Sequence, residues 1–416
     1  MPQGKAGLRV GTALCAALTL LGSSPAVATA QPACPNAVQP PAPVDTSEVP
    51  APGMPSPPPL PVPPEPVGGE RLAECAEITP PGVAAPPVDQ VGAQSWVLAD
   101  LDSGEVLAAR DPHARHRPAS TIKVLTALLA LRELDLADTI TATQADADQE
   151  GSKVGLEPGT TYTVHQVLSG MIMQSGNDAA HALAVKLGGV DETVRKMNAL
   201  APRLGAHDTR TASPSGLDGP GMSTSAYDLA VIFRTAMQNP EFARIAGTEQ
   251  IQLPGKPGGP PMPVSSDNSV LLNYPGALGG KTGFTDDARH TFAAAAERGG
   301  RRLVAVLMRG ENKPVRLSKQ TENLLDYGFG LPAAAPVGRL VSEPPKPSVV
   351  DAAPEPQAGA DSADAQAQGA MSGTLGWPLT LLAAAVIAVS GLFALRQRRA
   401  KLAAARRNAD SSDEHP

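Results

Sequence analysis

Ser120 and Lys123 lie three residues apart where a loop, HRPAS, enters a segment of helical composition, STIKVLTALLALREL. Three residues are nearly one helical turn, so we expect the two side chains on one face of the helix. A serine hydroxyl is a weak nucleophile that needs a base nearby, and lysine acts as that base when burial lowers its pKa. The pair therefore predicts acyl transfer through a serine ester, although a helix-capping serine beside a surface lysine fits the same residues.

Two further short motifs follow along the chain. A Ser-Gly-Asn sequence at 175–177 falls in a loop between two predicted helices, and a Lys-Thr-Gly sequence at 281–283 falls on a predicted strand. Taken singly, the first fits a polar turn and the second an edge-strand lysine. In this order and in these local structures, the three motifs resemble the penicillin-recognising serine enzymes.

The elements that must position these motifs are read from local patterns. SWVLADLDSGEVLAARD contains two alternating runs joined by a turn, which predicts a β-hairpin. Helical patterns follow, and the last third returns to strands before a final helix over about 314–327. Strands at both ends with helices between them predict an α+β fold, whose antiparallel sheet joins strands from opposite ends of the domain.

The resemblance extends beyond the three motifs. The segments RPASTIKVLTALLAL, MIMQSGNDAAHALA, SGLDGPGMSTSAYDLA and LLNYPGALGGKTGFTDDA are similar to the low-molecular-mass serine-type D-alanyl-D-alanine carboxypeptidases, which are penicillin-binding proteins. The likeness covers about residues 93–340. It implies a single catalytic domain with a DD-peptidase/β-lactamase-like fold, in which an antiparallel five-stranded sheet packs beside helical clusters.

This resemblance implies a role for each residue near the reacting bond. Ser120 would attack the carbonyl between two D-alanines, and Lys123 would accept its proton. Ser175 would relay a proton to the leaving D-alanine, while Asn177 would bind a substrate amide and hold Lys123. Water would then hydrolyse the acyl-enzyme, and no metal or cofactor is expected, because no His/Cys cluster has metal-ligand spacing.

The same resemblance places substrate recognition on the strand that carries Lys-Thr-Gly. Lys281, Thr282 and Gly283 would bind the peptide near its terminal carboxylate, and Arg316 on the last predicted helix would add positive charge. The backbone N–H of Phe284 would form the oxyanion hole with that of the nucleophile, because Phe284 follows the motif on its strand. The implied substrate is the peptidoglycan stem pentapeptide, and β-lactams would acylate the same serine.

Two motifs that are missing from the sequence argue against two other classes of serine enzyme. Class A β-lactamases carry a Glu-x-x-Leu-Asn loop between the second and third motifs; none occurs here, so we expect slow turnover of penicillins. A Ser-His-Asp hydrolase is disfavoured because no Gly-x-Ser-x-Gly elbow occurs, and His165, His181 and His290 are expected to be structural. A DD-endopeptidase and a non-catalytic penicillin-sensing or wall-binding protein stay open.

Both ends of the chain predict an exported, membrane-attached protein. Residues 1–30 combine early positive charges, an apolar stretch and an Ala-Thr-Ala cleavage site, which together indicate a signal peptide. Residues 374–395 carry no charge and are long enough to cross a bilayer as a helix. The basic residues of the tail, 396–416, belong on the cytoplasmic side. We therefore expect a single-pass cell-membrane protein with its catalytic domain on the extracytoplasmic face.

Proline-rich segments flank the predicted domain. The chain contains 44 prolines, which concentrate in residues 31–92 and 341–373. Such segments bury too little apolar surface to fold, so we expect a disordered, extended arm and a linker, respectively. Cys34 and Cys75 predict one disulfide in an oxidising compartment, with two free thiols as the alternative. The net charge of −7 gives no reason to expect nucleic-acid binding.

Overall fold

A seven-stranded antiparallel sheet organises the part of the chain that the computed structural model describes, residues 34–332 and 335–341. The strands are β1 (Glu77–Ile78), β2 (Ser95–Asp100), β3 (Glu105–Arg110), β4 (Thr139–Thr141), β5 (Thr161–Thr163), β6 (Gln250–Leu253), β7 (Met262–Ser265), β8 (Ala277–Thr285), β9 (Arg289–Arg298), β10 (Arg301–Gly310) and β11 (Gly338–Arg339). The helices are α1 (Lys123–Glu133), α2 (Gln144–Ala147), α3 (Val164–Met173), α4 (Asn177–Lys186), α5 (Val190–Leu204), α6 (Ala226–Met237), α7 (Pro240–Ala246), α8 (Ser269–Asn273) and α9 (Leu317–Gly330), with 3₁₀ helices at Glu70–Ala73 and Ala119–Ile122.

Strands from the two ends of the domain meet in the middle of the sheet. The order across it is β1-β3-β2-β10-β9-β8, and β11 also pairs with β3. The predicted hairpin is formed by β2 and β3, and β2 pairs on its other side with β10, where Leu98 lies opposite Ala305. The five long strands match the predicted sheet; β1 and β11, two residues each, extend it at the β3 edge.

The central strands are covered on both faces, which explains their small apolar residues. In β9 the residues from 291 to 296 are all buried, and the last four are alanines. One face of the sheet packs against α9, where Leu98 and Leu324 share a core. The other face packs against α1 and α6, where Val304 and Phe233 share a second core. Two-sided burial gives strands a continuous apolar sequence in place of an alternating one.

Local capping residues fix where the helices begin. The side chain of Thr163 accepts from the N–H of Gln166, whose side chain accepts in return, a capping box that starts α3. The side chain of Ser225 accepts from the N–H of Asp228 at the start of α6. The helix predicted from Ser120 begins as the 3₁₀ helix and continues as α1, so the nucleophile lies on the tighter turn.

The amino-terminal arm, residues 34–92, differs from the disordered spacer that its composition predicts. It contains the first 3₁₀ helix and β1, and the Cys34–Cys75 disulfide closes a loop with the two Cα atoms 5.3 Å apart. Its backbone carbonyls accept hydrogen bonds from Arg115 and Arg117 of the catalytic domain. The prediction counted the apolar side chains that the arm could bury and did not consider its main-chain acceptors.

Several predicted segments lie outside the described residues: the signal peptide (1–30), nearly all of the linker (341–373), the membrane-spanning segment (374–395) and the tail (396–416). Between residues 34 and 341, as far as the structure describes them, no helix combines the length and apolar character needed to cross a membrane.

Candidate active site

The three motifs meet in one cleft of about 400 Å³. Of the residues predicted to form the site, those that line this cleft are Ser120, Ser175, Asn177, Thr282, Gly283 and Phe284. They come from the second 3₁₀ helix, the loop between α3 and α4 with the first residue of α4, and β8. The fold therefore gathers motifs that are up to about 160 residues apart in sequence.

A strained residue directly precedes the nucleophile. Ala119 has φ 48°, in the left-handed region that a residue with a Cβ avoids at a cost of about 1–3 kcal/mol. The preceding carbonyl, that of Pro118, accepts hydrogen bonds from the hydroxyls of Thr121 (2.5 Å) and Thr291 (2.8 Å). These contacts from its own helix and from β9 hold the backbone that presents Ser120.

Lys123 is arranged as a neutral base. Its side chain is fully buried, and Nζ lies 2.8 Å from Ser120 Oγ, 2.7 Å from Asn177 Oδ1 and 2.5 Å from the carbonyl oxygen of Ser215. Burial, reinforced by the charge of Lys281, holds the pKa of Lys123 well below its usual range. A neutral amine has two N–H bonds, which match the two oxygens that can only accept. Its lone pair then faces the Ser120 hydroxyl.

Asn177 is fixed by the loop between α2 and β5. Its Nδ2 donates to the carbonyl of Glu150 at 2.5 Å, and its backbone N–H donates to that of Ser152 at 2.7 Å. The buried carboxylate of Asp178 accepts from the three successive N–H groups of 154–156, at 2.8–3.0 Å. The side chain that orients Lys123 is thus itself held rigidly.

Ser175 occupies the second strained position of the cleft. It has φ 59° and is only 5% exposed. Gly176 follows it because a Cβ there would lie 2.3 Å from the side chain of Val154. Left-handed residues other than glycine concentrate at active sites, where the surrounding structure maintains the strain.

The strand β8 runs directly beside the nucleophile. A Cβ at Gly283 would lie 2.9 Å from the backbone nitrogen of Ser120 and 2.4 Å from Thr291 Oγ1, so only glycine permits this approach. The adjacent residue, Phe284, pairs with His290 of β9. The backbone segments carrying the two N–H groups predicted to form the oxyanion hole are therefore neighbours in space.

Lys281 and Thr282 bring one cation and one hydroxyl to this end of the site. Lys281 is 1% exposed, and its Nζ donates to the carbonyl of Thr282 at 2.8 Å. Burial lowers the pKa of Lys281 to about 8, against the opposing effect of the Asp267 carboxylate. The hydroxyl of Thr282 donates to Asp267 at 3.2 Å, and Asp267 lines the cleft.

Arg316 and the three histidines considered in the sequence differ in whether they line the cleft. Arg316 is exposed, directly precedes α9 and is not among the residues that line the cleft. His290, expected to be structural, does line the cleft, with its ring 4.5 Å from that of Phe284. His165 and His181 lie outside the lining and pair with carboxylates.

Two groups of the site were not found by sequence reasoning. The Ser215 carbonyl lies in the segment SPSGLDG, and nothing in this sequence predicts a contact with Lys123. Asp267 stands just before α8 and belongs to no motif. A carboxylate is not expected beside a strand that is predicted to bind a carboxylate, so there was no reason in the sequence to place Asp267 there.

Comparison with known proteins shows the family to which the chain belongs. The model of the D-alanyl-D-alanine carboxypeptidase family, peptidase S11, matches residues 82–312. The chain belongs to this family. D-alanyl-D-alanine carboxypeptidase DacB2 of Mycobacterium tuberculosis is 51% identical over 270 residues, which are 64% of this chain and 91% of the relative.

Two solved structures of DD-peptidases have a fold similar to that of this chain. A D-alanyl-D-alanine carboxypeptidase from Mycobacterium tuberculosis H37Rv is similar with a TM-score of 0.61 and 49% identity, covering 63% of this chain and all of that one. The Streptomyces K15 DD-transpeptidase is similar with a TM-score of 0.56 and 29% identity, covering 60% of this chain and all of that one. The predicted family, the DD-peptidase fold and the class of enzyme, a serine-type D-alanyl-D-alanine carboxypeptidase of peptidoglycan metabolism, are confirmed.

Proposed function

We propose that this protein removes the terminal D-alanine from peptidoglycan stem pentapeptides through an acyl-enzyme on Ser120, which limits cross-linking. The observation that carries the proposal is the environment of Lys123: a fully buried amine, facing the serine oxygen at 2.8 Å, with its two N–H bonds directed at other oxygens. A serine hydroxyl becomes an effective nucleophile when a neutral base of this kind accepts its proton.

In the acylation step, Ser120 Oγ bonds to the carbonyl carbon between the two D-alanines while its proton moves to Lys123. The negative charge that develops on the carbonyl oxygen is stabilised by the N–H groups of Ser120 and Phe284. The C–N bond then breaks, and the leaving amine receives a proton that Ser175 relays. Asn177 holds both the substrate amide and Lys123 in place during these steps.

In the deacylation step, water attacks the ester carbon and gives a proton to Lys123, which returns it to the serine oxygen. The products are free D-alanine and a stem tetrapeptide, and the enzyme regains its starting state. A β-lactam would acylate Ser120 by the same first step, with its ring nitrogen as the leaving group. Without a Glu-x-x-Leu-Asn loop, the resulting ester is expected to hydrolyse slowly.

Recognition of the peptide end is assigned to the cation and hydroxyl on β8. Lys281 supplies positive charge, and Thr282 supplies a hydroxyl that lines the cleft. A terminal carboxylate needs such fixed groups because it gives up water on binding. Arg316, which directly precedes α9, is proposed to add positive charge for the same carboxylate.

We further propose that the protein is exported and anchored by residues 374–395, with the catalytic domain on the extracytoplasmic face. The Cys34–Cys75 disulfide supports this placement, because disulfides persist in oxidising compartments. Protease added to intact cells should remove the catalytic domain and spare an epitope joined to the tail. Degradation of the epitope in intact cells would show that the tail is outside the cell and that the proposed orientation is wrong.

The activity is tested with a stem pentapeptide, a cross-linked dimer and a fluorescent penicillin. We expect free D-alanine from the pentapeptide and covalent labelling by the penicillin, both lost in Ser120→Ala. If the parent protein neither releases D-alanine nor is labelled by the penicillin, the proposal is wrong. Labelling with cleavage of the dimer alone would indicate a DD-endopeptidase. Labelling with no cleavage would indicate a penicillin sensor.

Transpeptidation is a second candidate, favoured by the likeness to the Streptomyces K15 DD-transpeptidase. If an amine competes with water for the acyl-enzyme, adding glycine to the assay should yield a glycine-terminated peptide. Its absence at high glycine concentration would leave hydrolysis as the reaction.

A further inference from the structure

Two arginines in the loop that leads into Ser120 are buried. The side chains of Arg115 and Arg117 are 1% and 2% exposed, respectively. An arginine stays charged in a protein interior, so its N–H groups must find acceptors there. Most of the acceptors that the structure shows belong to the amino-terminal arm.

Arg115 is bound mainly by backbone carbonyls of the arm. Its Nη1 donates to the carbonyls of Val38 and Leu60, both at 2.6 Å, and its Nη2 donates to that of Pro61 at 2.9 Å. Its Nε donates to Asp208 of the catalytic domain at 2.8 Å. The guanidinium group thus joins two separate stretches of the arm to the domain.

Arg117 is held in the same way, closer to the nucleophile. Its Nη1 donates to the carbonyl of Pro41 at 2.7 Å, and its Nε donates to the carboxylate of Glu48. The Asp287 carboxylate lies 3.9 Å from the same Nε. Only two residues separate Arg117 from Ser120, and one of them is the strained Ala119.

The arm also contacts the segment that follows β8. Asp287 is 1% exposed and lies two residues beyond Thr285, which lines the cleft. Its carboxylate accepts from the backbone N–H of Val44 and, at 3.1 Å, from the hydroxyl of Ser47. The turn at the end of the Lys-Thr-Gly strand is therefore tied to the arm.

A third segment of the cleft wall lies beside the same point of the arm. Asp218 directly follows Leu217, which lines the cleft, and the chain here supplies the Ser215 carbonyl to Lys123. Carboxylate oxygens of Asp218, Glu48 and Asp287 lie within 4.8 Å of one another. The arm thus lies against three of the segments beside the cleft: the loop before Ser120, the turn after β8 and the loop at Asp218. No residue of the arm lines the cleft itself.

The composition of the arm suits this task. A proline-rich chain has extended backbone whose carbonyls make no internal hydrogen bonds, so they are available to guanidinium groups. Proline also restricts the undocked chain, which lowers the entropy lost on docking. The disulfide, between residues 41 positions apart, restricts the undocked arm further.

We propose that the amino-terminal arm is a positioning element of the active site. By holding Arg115 and Arg117 it fixes the strained backbone before Ser120, and so it sets the rate of acylation. This inference rests on the proposed acyl-enzyme. Most of the arm precedes residues 82–312, which match the family, so it is an addition to the family's domain.

The full-length chain and its Cys34→Ser/Cys75→Ser variant are compared in acylation by a fluorescent penicillin. The binding constant of the non-covalent complex and the first-order acylation constant are measured separately, at a temperature where circular dichroism shows both proteins folded. A displacement of the nucleophile by about 1 Å lowers the acylation constant by about 10- to 100-fold. The binding constant should stay unchanged, because the arm does not line the cleft.

A matched pair of point variants tests the contact with Arg117 directly. Glu48→Lys places a cation against that arginine and should lower the acylation constant by about tenfold. Glu65→Lys makes the same change at an exposed residue of the same arm and should leave it unchanged.

A wild-type acylation constant in folded Glu48→Lys overturns the proposal, as does a lowered melting temperature of the disulfide variant without any change in acylation. In both cases the arm would only stabilise the fold. Failure of the parent protein to acylate is a separate result, which would count against the proposed function.

Discussion

The two buried lysines of the cleft show how surroundings give one residue type two tasks. Lys123 lies among a hydroxyl, an amide oxygen and a backbone carbonyl, whereas Lys281 donates to the carbonyl of its neighbour. Burial is the main cause of a lowered pKa in both. For Lys123 the pKa falls well below its usual range; for Lys281 it falls only to about 8.

The difference teaches that charge, and not burial alone, separates a base from an anion-binding group. The charge of Lys281 is the second cause of the lowered pKa of Lys123. Asp267 raises the pKa of both lysines, and only that of Lys123 is lowered further by a neighbouring cation. The pKa of Lys123 is therefore shifted toward that of a base, whereas Lys281 is mostly cationic at neutral pH.

The largest effect is expected from Lys123→Arg. The guanidinium group of this variant cannot accept a proton, so acylation should fall by about 10²- to 10⁴-fold. Stopped-flow fluorescence with a labelled penicillin measures this rate, and Lys186→Arg on the outer part of α4 serves as the control. Acylation at the parent rate would show that another group is the base.

A smaller loss is expected from Lys281→Met, because a charge-assisted contact with the peptide carboxylate contributes about 1.5–3 kcal/mol, or roughly 10- to 150-fold in kcat/KM. The variant should also raise the pKa of Lys123, since the Lys281 charge lowers it. The acid limb of the rate profile should therefore move to higher pH. If the acid limb stays in place, the two lysines are not coupled.

The pH dependence of kcat/KM separates the lysines without any substitution. Activity should fall toward low pH as Lys123 becomes protonated, and again as pH rises through about 8, where Lys281 loses its charge. A peptide ending in a carboxamide lacks the carboxylate, so its alkaline limb should disappear. Persistence of this limb with the carboxamide would assign it to a different group.

The smallest effect is expected from Asp267→Asn. Removing this exposed carboxylate lessens repulsion of the substrate's own carboxylate and should lower KM by about two- to fivefold at pH 7. Because Asp267 raises the pKa of Lys281, its loss should also move the alkaline limb to lower pH. Asp286→Asn, in the exposed turn after β8, is the matched control; a similar change in both variants would exclude a specific effect.

Contacts governed by local geometry were predictable. Ser120 meets Lys123 because one turn of helix separates them, and β2 meets β3 because a short turn joins them. The contact of Lys123 with the Ser215 carbonyl spans 92 positions and depends on how a loop crosses α1. No periodic pattern encodes such a contact, and the same holds for Asp267 beside Thr282.

The arm shows a different limit of composition-based prediction. Hydrophobicity indicates whether a segment can form its own core, and residues 31–92 contain few large apolar side chains for one. It does not register that a neighbouring domain offers Arg115 and Arg117, whose N–H groups need oxygen acceptors. Two arginines spaced two residues apart, shortly before the nucleophile, were the available signal.

Recognition of the arm through carbonyl oxygens affects how this region can evolve. Every residue type carries a carbonyl, so the side chains at Val38, Leu60 and Pro61 can change while the acceptors for Arg115 remain. If the arginine itself is replaced, in contrast, its hydrogen bonds to the arm are lost. Relatives that retain the arginines and the two cysteines can therefore share the docked arm even where its sequence has diverged beyond alignment.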